Sequence, residues 1–113
     1  MARRVAALQG PDGYWRASLL DPESRPMPET SGTGFFTYAL AWGVNAGLLG
    51  PEVEPTVRRG WSALVKAVQP GGMLGYVQRV GAEPGETGPD QTEIYGAGAL
   101  LLAGSEVYRL VAR

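Results

Sequence analysis

Two copies of one short pattern limit what this chain can become. Glu29-x-x-Gly32-x-Gly34 recurs 64 residues later as Glu93-x-x-Gly96-x-Gly98. Each copy opens an apolar run, from Phe35 through Val44 and from Ile94 through Ala103, with hydrophobic residues on nearly every side rather than along one stripe. A helix without a polar face must be covered all round. Before each copy lies a Gln-to-aromatic segment, Gln9 to Trp15 and Gln69 to Tyr76. The repeating unit is an amphipathic helix ending at Gln, a long loop carrying an aromatic, and a buried helix starting at Glu. Alternating half-exposed and covered helices describe an all-α fold, an α/α toroid. Its outer ring is amphipathic and its inner ring apolar. Two units make an arc, and an arc leaves an apolar flank at each end.

The individual elements follow from local signals. Met1-Ala2-Arg3-Arg4-Val5-Ala6-Ala7-Leu8-Gln9 reads as the last turns of a helix, with Val5 and Leu8 inward and Gly10-Pro11 as its stop. The stretch from Gly10 to Pro28 is irregular, holding Pro11, Pro22, Pro26 and Pro28 and a turn at Pro11-Asp12-Gly13. Loops of this length are often functional. The first buried helix ends at Asn45-Ala46-Gly47, where Gly47 supplies a left-handed cap. Another helix starts near Glu54-Pro55 and carries the stripe Val57, Trp61, Leu64, Val65 and Val68. Trp42 and Trp61 are assigned to the core. Met73 to Val80 is expected to be a short extended piece and Gly81 to Gly88 a loop. The last helix is expected from Gln91 to Ala112, with Asp90 and Glu93 as a capping-box variant.

Composition narrows the function. The 113 residues fit a single domain, and 44% apolar with 19% charged residues is an ordinary globular balance. The net charge of −1 and scattered basic residues exclude the basic stripe that nucleic acid requires. No apolar run is long enough to span a membrane. The chain lacks cysteine, so it has no disulfides and no thiolate metal sites; it also lacks histidine, the commonest general base and metal ligand. No metal or cofactor is expected.

The residues also carry a family resemblance. Leu8-Gln9 through Gly13-Tyr14-Trp15-Arg16, and Pro28-Glu29-Thr30-Ser31-Gly32-Thr33-Gly34-Phe35-Phe36-Thr37-Tyr38-Ala39-Leu40-Ala41-Trp42-Gly43, resemble the C-terminal part of the unsaturated rhamnogalacturonyl and glucuronyl hydrolases of glycoside hydrolase families 105 and 88. Ala67-Val68-Gln69-Pro70, Thr92 to Ala99 and Leu102 to Tyr108 are similar too. The resemblance implies that residues 1–113 are the C-terminal fragment of one (α/α)6 barrel, about its last third. It implies as substrate an oligosaccharide left by a polysaccharide lyase, with a 4,5-unsaturated uronic acid at its non-reducing end. Hydration of the enol ether, with an aspartate as acid and then base, would release that sugar. The family's catalytic aspartates and histidine belong to motifs preceding Gln9, so no catalytic residue is assigned here. The chain is therefore expected to be a fragment, inactive alone. The resemblance and the absence of a clear signal peptide favour a cytoplasmic location.

The candidate substrate-binding residues are Trp15, Arg16, Glu29, Thr30, Ser31 and Thr33. Trp15 and Arg16 lie on the long loop, where sugar stacking and carboxylate pairing are available. Trp15 could equally plug a gap between helices. The carboxylate and hydroxyls of Glu29 to Thr33 could form a sugar-binding rim, with free helix N–H groups adding anion binding. They could equally cap the helix, worth roughly 1 kcal/mol. Adjacent packed helices lie about 8–10 Å apart, so Glu29 and Glu93 could match an inverting carboxylate pair, but repeat-related structural carboxylates explain both as well. Two further readings stand beside the hydrolase: a non-catalytic helical module whose flanks are covered by self-association, and a terpenoid-cyclase-like toroid. The second rests on the Gln9-x-x-x-Gly13-x-Trp15 spacing and lacks the acidic protonation motif of those enzymes.

Overall fold

The computed structural model describes residues 1–113. Four helices make up the chain: α1 (Ala2–Ala7), α2 (Thr30–Asn45), α3 (Glu54–Ala67) and α4 (Ile94–Ala112). Single 3-10 turns at Pro22–Ser24 and Pro51–Val53 interrupt the connections. There is no strand, only one antiparallel bridge between Val68 and Leu74. Met73 to Val80 is not the continuous extended piece expected: Tyr76 takes a left-handed backbone (φ 59°), and the segment pairs only at the Leu74 bridge.

α2 is set by its two ends. Glu29 sits in extended backbone (φ −136°, ψ 116°), and its carboxylate accepts from the Ser31 and Gly32 N–H groups. At the other end, Leu48 N–H reaches Gly43 O (2.9 Å) and Gly47 N–H reaches Val44 O (3.1 Å), with Gly47 at φ 76°. These paired bonds form a Schellman cap, which closes the helix against the Pro51 turn.

α2 and α4 run parallel and pack face to face. Gly34 lies against Ala99 near their starts, and Asn45 meets Glu106 near their ends. A Cβ built on Gly34 would stand 2.8 Å from the Ala99 Cβ, so the glycine sets how closely the two axes approach. α3 runs back along α2, with Gly60 over Thr37.

Two apolar clusters result. Trp15, Leu40, Val44, Val57, Val107 and Leu110 belong to the first, with Val5, Leu8 and Trp61 packed against it. Tyr14, Ala63, Ala67, Leu74 and Val77 form the second. Neighbouring side chains of an extended segment point opposite ways, and here Tyr14 and Trp15 enter different clusters.

Several expectations need correction. α2 is not covered all round: Phe35 (45% exposed) and Trp42 (47%) lie in the open with Ala39. Positions 35, 39 and 42 form one stripe, and α3 and α4 together cover only the rest of the circumference. Trp42 is therefore not core in this chain, whereas Trp61 packs on the first cluster and reaches Gly104. On α3, Val57 and Leu64 are buried, but Val65 and Val68 are exposed. On α4, Ile94, Leu101 and Tyr108 are exposed.

α4 also begins at Ile94, not Gln91. The Gln91 carbonyl accepts from Val77 N–H (3.0 Å) and Glu93 stays extended, so the helix starts only after them. No Asp90–Glu93 capping box forms: Glu93 makes no side-chain cap and instead faces Arg79 at 3.9 Å.

Candidate functional site

A cleft of about 350 Å³ opens over the start of α2. One wall is the turn from Ser24 to Met27; the other is Gln78 with the loop Pro84–Thr87; Glu29 lies between them. A shallower lobe of about 340 Å³ continues from it, sharing Glu29 and Gln78 and adding Ser31, Arg79 and Tyr95.

Glu29 organises the floor. Its Oε1 accepts from Ser31 N–H (3.0 Å), Ser31 Oγ (2.6 Å) and Gln78 N–H (3.0 Å), and its Oε2 from Gly32 N–H (2.7 Å). The residue is 6% exposed. One carboxylate thus caps α2 and pins the opposite wall. With four donors on it, the Glu29 carboxylate is engaged as a structural hydrogen-bond acceptor.

Tyr95, in the first turn of α4, donates its hydroxyl to the Gln78 carbonyl. Burial, followed by the nearby Glu93 and Glu29 charges, pushes its phenol above the usual 10.0, so it stays a donor at neutral pH. Thr87 donates to Pro28 O, and Arg25 Nε to Pro84 O (3.1 Å), tying the two walls together. With its amide turned to match, the Gln78 side chain exchanges two hydrogen bonds with the Gly85 backbone (3.1 and 2.9 Å).

The six sequence candidates divide sharply. Glu29 and Ser31 border the cleft or its lobe. Thr30 and Thr33 are fully buried. Thr30 Oγ1 donates to Gly75 O (2.8 Å) and its N–H to Tyr76 O (2.9 Å), while Thr33 Oγ1 accepts from Trp15 N–H (3.1 Å) and donates to Glu29 O (2.7 Å). They moor the two long loops to α2. Since Thr30, Ser31 and Gly32 N–H groups all have internal partners, no free anion site remains at this helix start.

Trp15 is 1% exposed, its indole N–H donating to Val5 O (2.7 Å) and its ring edge-on to Phe36 at 5.4 Å. Stacking on a sugar is closed to it; the gap-plugging alternative describes its place. Arg16 grips both oxygens of Asp12 (3.1 and 2.8 Å) and donates to Pro26 O (2.9 Å), bracing the loop from inside. Burial raises the Asp12 carboxyl, but hydrogen bonds from Arg16 and Tyr14 N–H together with the Arg16 charge outweigh it and hold the group below 3.8.

Sequence reasoning missed Arg25, Gln78 and Tyr95. Arg25 and Gln78 sit in no repeated motif, and Tyr95 fills a variable position of the second copy, Glu93-x-x-Gly96; only the length of the two loops signalled that something was built there. No group of three or more acidic, His or Cys side chains converges anywhere in the chain, and no helix is long and apolar enough to cross a membrane. The cleft is lined mostly by polar side chains and main-chain groups.

The chain matches the profile of Glycosyl Hydrolase Family 88 over residues 1–111. It belongs to that family. An unsaturated 3S-rhamnoglycuronyl hydrolase of Formosa agariphila is 49% identical over 111 residues, which are 97% of this chain and 29% of that protein. A solved family 88 glycosyl hydrolase from Bacteroides vulgatus superposes with a TM-score of 0.90 at 46% identity, covering 96% of this chain and 33% of that one. A structure titled "Polysaccharide Lyase BACCELL_00875" is similar at the same TM-score and identity, over 98% of this chain and 33% of its own. The family 88 chain described here thus spans about a third of the relatives it matches, and its helices form the corresponding part of their α/α toroid.

Proposed function

We propose that this chain is the sugar-facing C-terminal third of an (α/α)6 unsaturated rhamnoglycuronyl hydrolase domain. The oligosaccharide substrate, left by a lyase, carries a 4,5-unsaturated uronic acid that is released by hydration of its enol ether. The observation that carries this reading is the cleft over α2, in a chain 49% identical to an unsaturated 3S-rhamnoglycuronyl hydrolase. Glu29 and Gln78 hold its two walls in register, Arg25 offers hydrogen bonds to hydroxyl or acidic groups of a sugar, and Ser31 Oγ, whose hydrogen goes to Glu29, can accept from a sugar hydroxyl. The acid that protonates the double bond comes from residues outside this chain, so the isolated chain binds without turning over.

The assay follows ultraviolet absorbance of an unsaturated uronyl–rhamnose disaccharide. The 113-residue chain should leave it unchanged. A polypeptide of the relatives' length that ends in this sequence should bleach it. A rise in absorbance on intact polysaccharide would instead mean β-elimination, the activity named in the lyase-titled neighbour, and would sink the hydrolase reading.

A second reading, a non-catalytic helical module that self-associates, is supported by exposed Phe35 and Trp42 on α2 and Ile94 and Leu101 on α4. Sedimentation decides for the isolated chain: concentration-dependent oligomers without sugar binding favour the module, whereas a stable monomer removes it.

A further inference from the structure

One cation in the cleft stands apart from the others. Arg79, beside the shallow lobe, faces Glu93 at 3.9 Å, and Arg16 is spent on both oxygens of Asp12. Arg25 makes no ion pair. Its Nε donates to Pro84 O (3.1 Å) on the opposite wall and its Nη1 to Ser24 O (3.1 Å) on its own. Two main-chain carbonyls thereby fix the plane of the guanidinium without neutralising it, and Nη2 has no protein partner.

The carboxylates nearby do not change this balance. Glu29 already receives four donors, and Glu86, on the far wall, is exposed to solvent. A held but unneutralised guanidinium, with half-buried stem and free N–H groups at a polar cleft, suits an oxyanion with two oxygens to offer. Little conformational freedom is left to lose on binding, because the protein backbone has already ordered the fork.

We propose that Arg25 is the specificity-determining residue of the cleft, selecting oligosaccharides by an oxyanion on the sugar, either a sulfate ester or a uronate carboxylate. The inference rests on the sugar-binding reading given above and goes beyond it by assigning the charge discrimination to one side chain.

The probes are an unsaturated uronyl–rhamnose disaccharide in three forms: 3-sulfated, desulfated, and sulfated with the uronate methyl-esterified. Their affinities for the full 113-residue chain are measured by NMR titration at one fixed ionic strength. Removing the recognised oxyanion should weaken binding roughly tenfold to hundredfold, the value of a charge-assisted hydrogen bond. The form that suffers identifies whether sulfate or carboxylate is bound. In Arg25→Gln that ratio should collapse toward one, and in Arg25→Lys, which keeps the charge but loses the fork, it should fall only in part. A wild-type ratio retained in Arg25→Gln overturns the proposal. Should that variant fail to fold, Arg25→Lys decides, and an undiminished ratio there overturns it equally. Equal affinity of the wild-type chain for all three forms removes the role of Arg25 while leaving sugar binding standing. Binding of none of the three overturns the sugar reading itself and this inference with it.

Discussion

The starts of α2 and α4 carry the same sequence pattern and do different work. At α2 the glutamate turns back onto its own helix and simultaneously holds the Gln78 N–H of the facing loop. At α4 the matching Glu93 caps nothing and meets Arg79 loosely at the surface. The glycines differ in the same way. Gly34 is where α2 presses on Ala99, whereas a Cβ on Gly98 would meet nothing within 4 Å. A repeat therefore preserves a helix start, while the loops arriving beside it determine whether that start becomes part of a site.

The largest test of this difference is a pair of substitutions. Glu29→Ala strips partners from three N–H groups and should cost about 2–4 kcal/mol, whereas Glu93→Ala should stay within about 0.5 kcal/mol. Urea unfolding of both variants measures it, and similar losses would show that the two starts are equivalent after all.

Next in size is the glycine pair. Gly98→Ala should stabilise by about 0.5–1 kcal/mol through helix propensity. Gly34→Ala should destabilise by about 1–2 kcal/mol, since the gain is outweighed by overpacking against Ala99. Shifts of the same sign in thermal unfolding would refute a close contact peculiar to α2.

The smallest effect is alkaline. Tyr14 and Tyr95 both donate phenol hydrogens to main-chain carbonyls, and burial first, then neighbouring carboxylates, raises both above 10.0. An acid group whose folded pKa is raised stabilises below its unfolded value, and that contribution is lost as pH rises through the folded one. Stability should therefore decline as pH climbs above about 10, with a shallower slope in Tyr14→Phe and Tyr95→Phe. Identical slopes in wild type and both variants would remove these phenols from the account.

Much of the scaffold was legible because it obeys local rules. The Glu29 start, the Gly47 cap and the Pro51 and Pro55 turns are each decided within a few residues, and the structure keeps all of them. Family 88 membership was legible from the block around Glu29. The site was far less so. Trp15 looked available on its loop, yet Thr33, distant in sequence, fixes its backbone and Phe36 covers its ring edge-on. Arg25 and Gln78 matter through Pro84, Gly85 and Glu29, contacts that depend on how two loops meet in space. Periodicity cannot report them. The exposure of Trp42 follows from the same limit, because an apolar helix says that it needs neighbours but not how many this chain provides.

Gln78 divides its loop into two parts with different freedom to vary. Up to that residue the chain is consumed by Val77 in the core, Tyr76 against Thr30 and Gly75 beneath it. Beyond it, residues 79–86 touch the framework at few points, chiefly through Gly85 and Pro84. That segment behaves as an exchangeable cassette on a fixed frame. Grafting the corresponding stretch from a relative should therefore leave both helix starts undisturbed, and sequence drift within the family should gather there first.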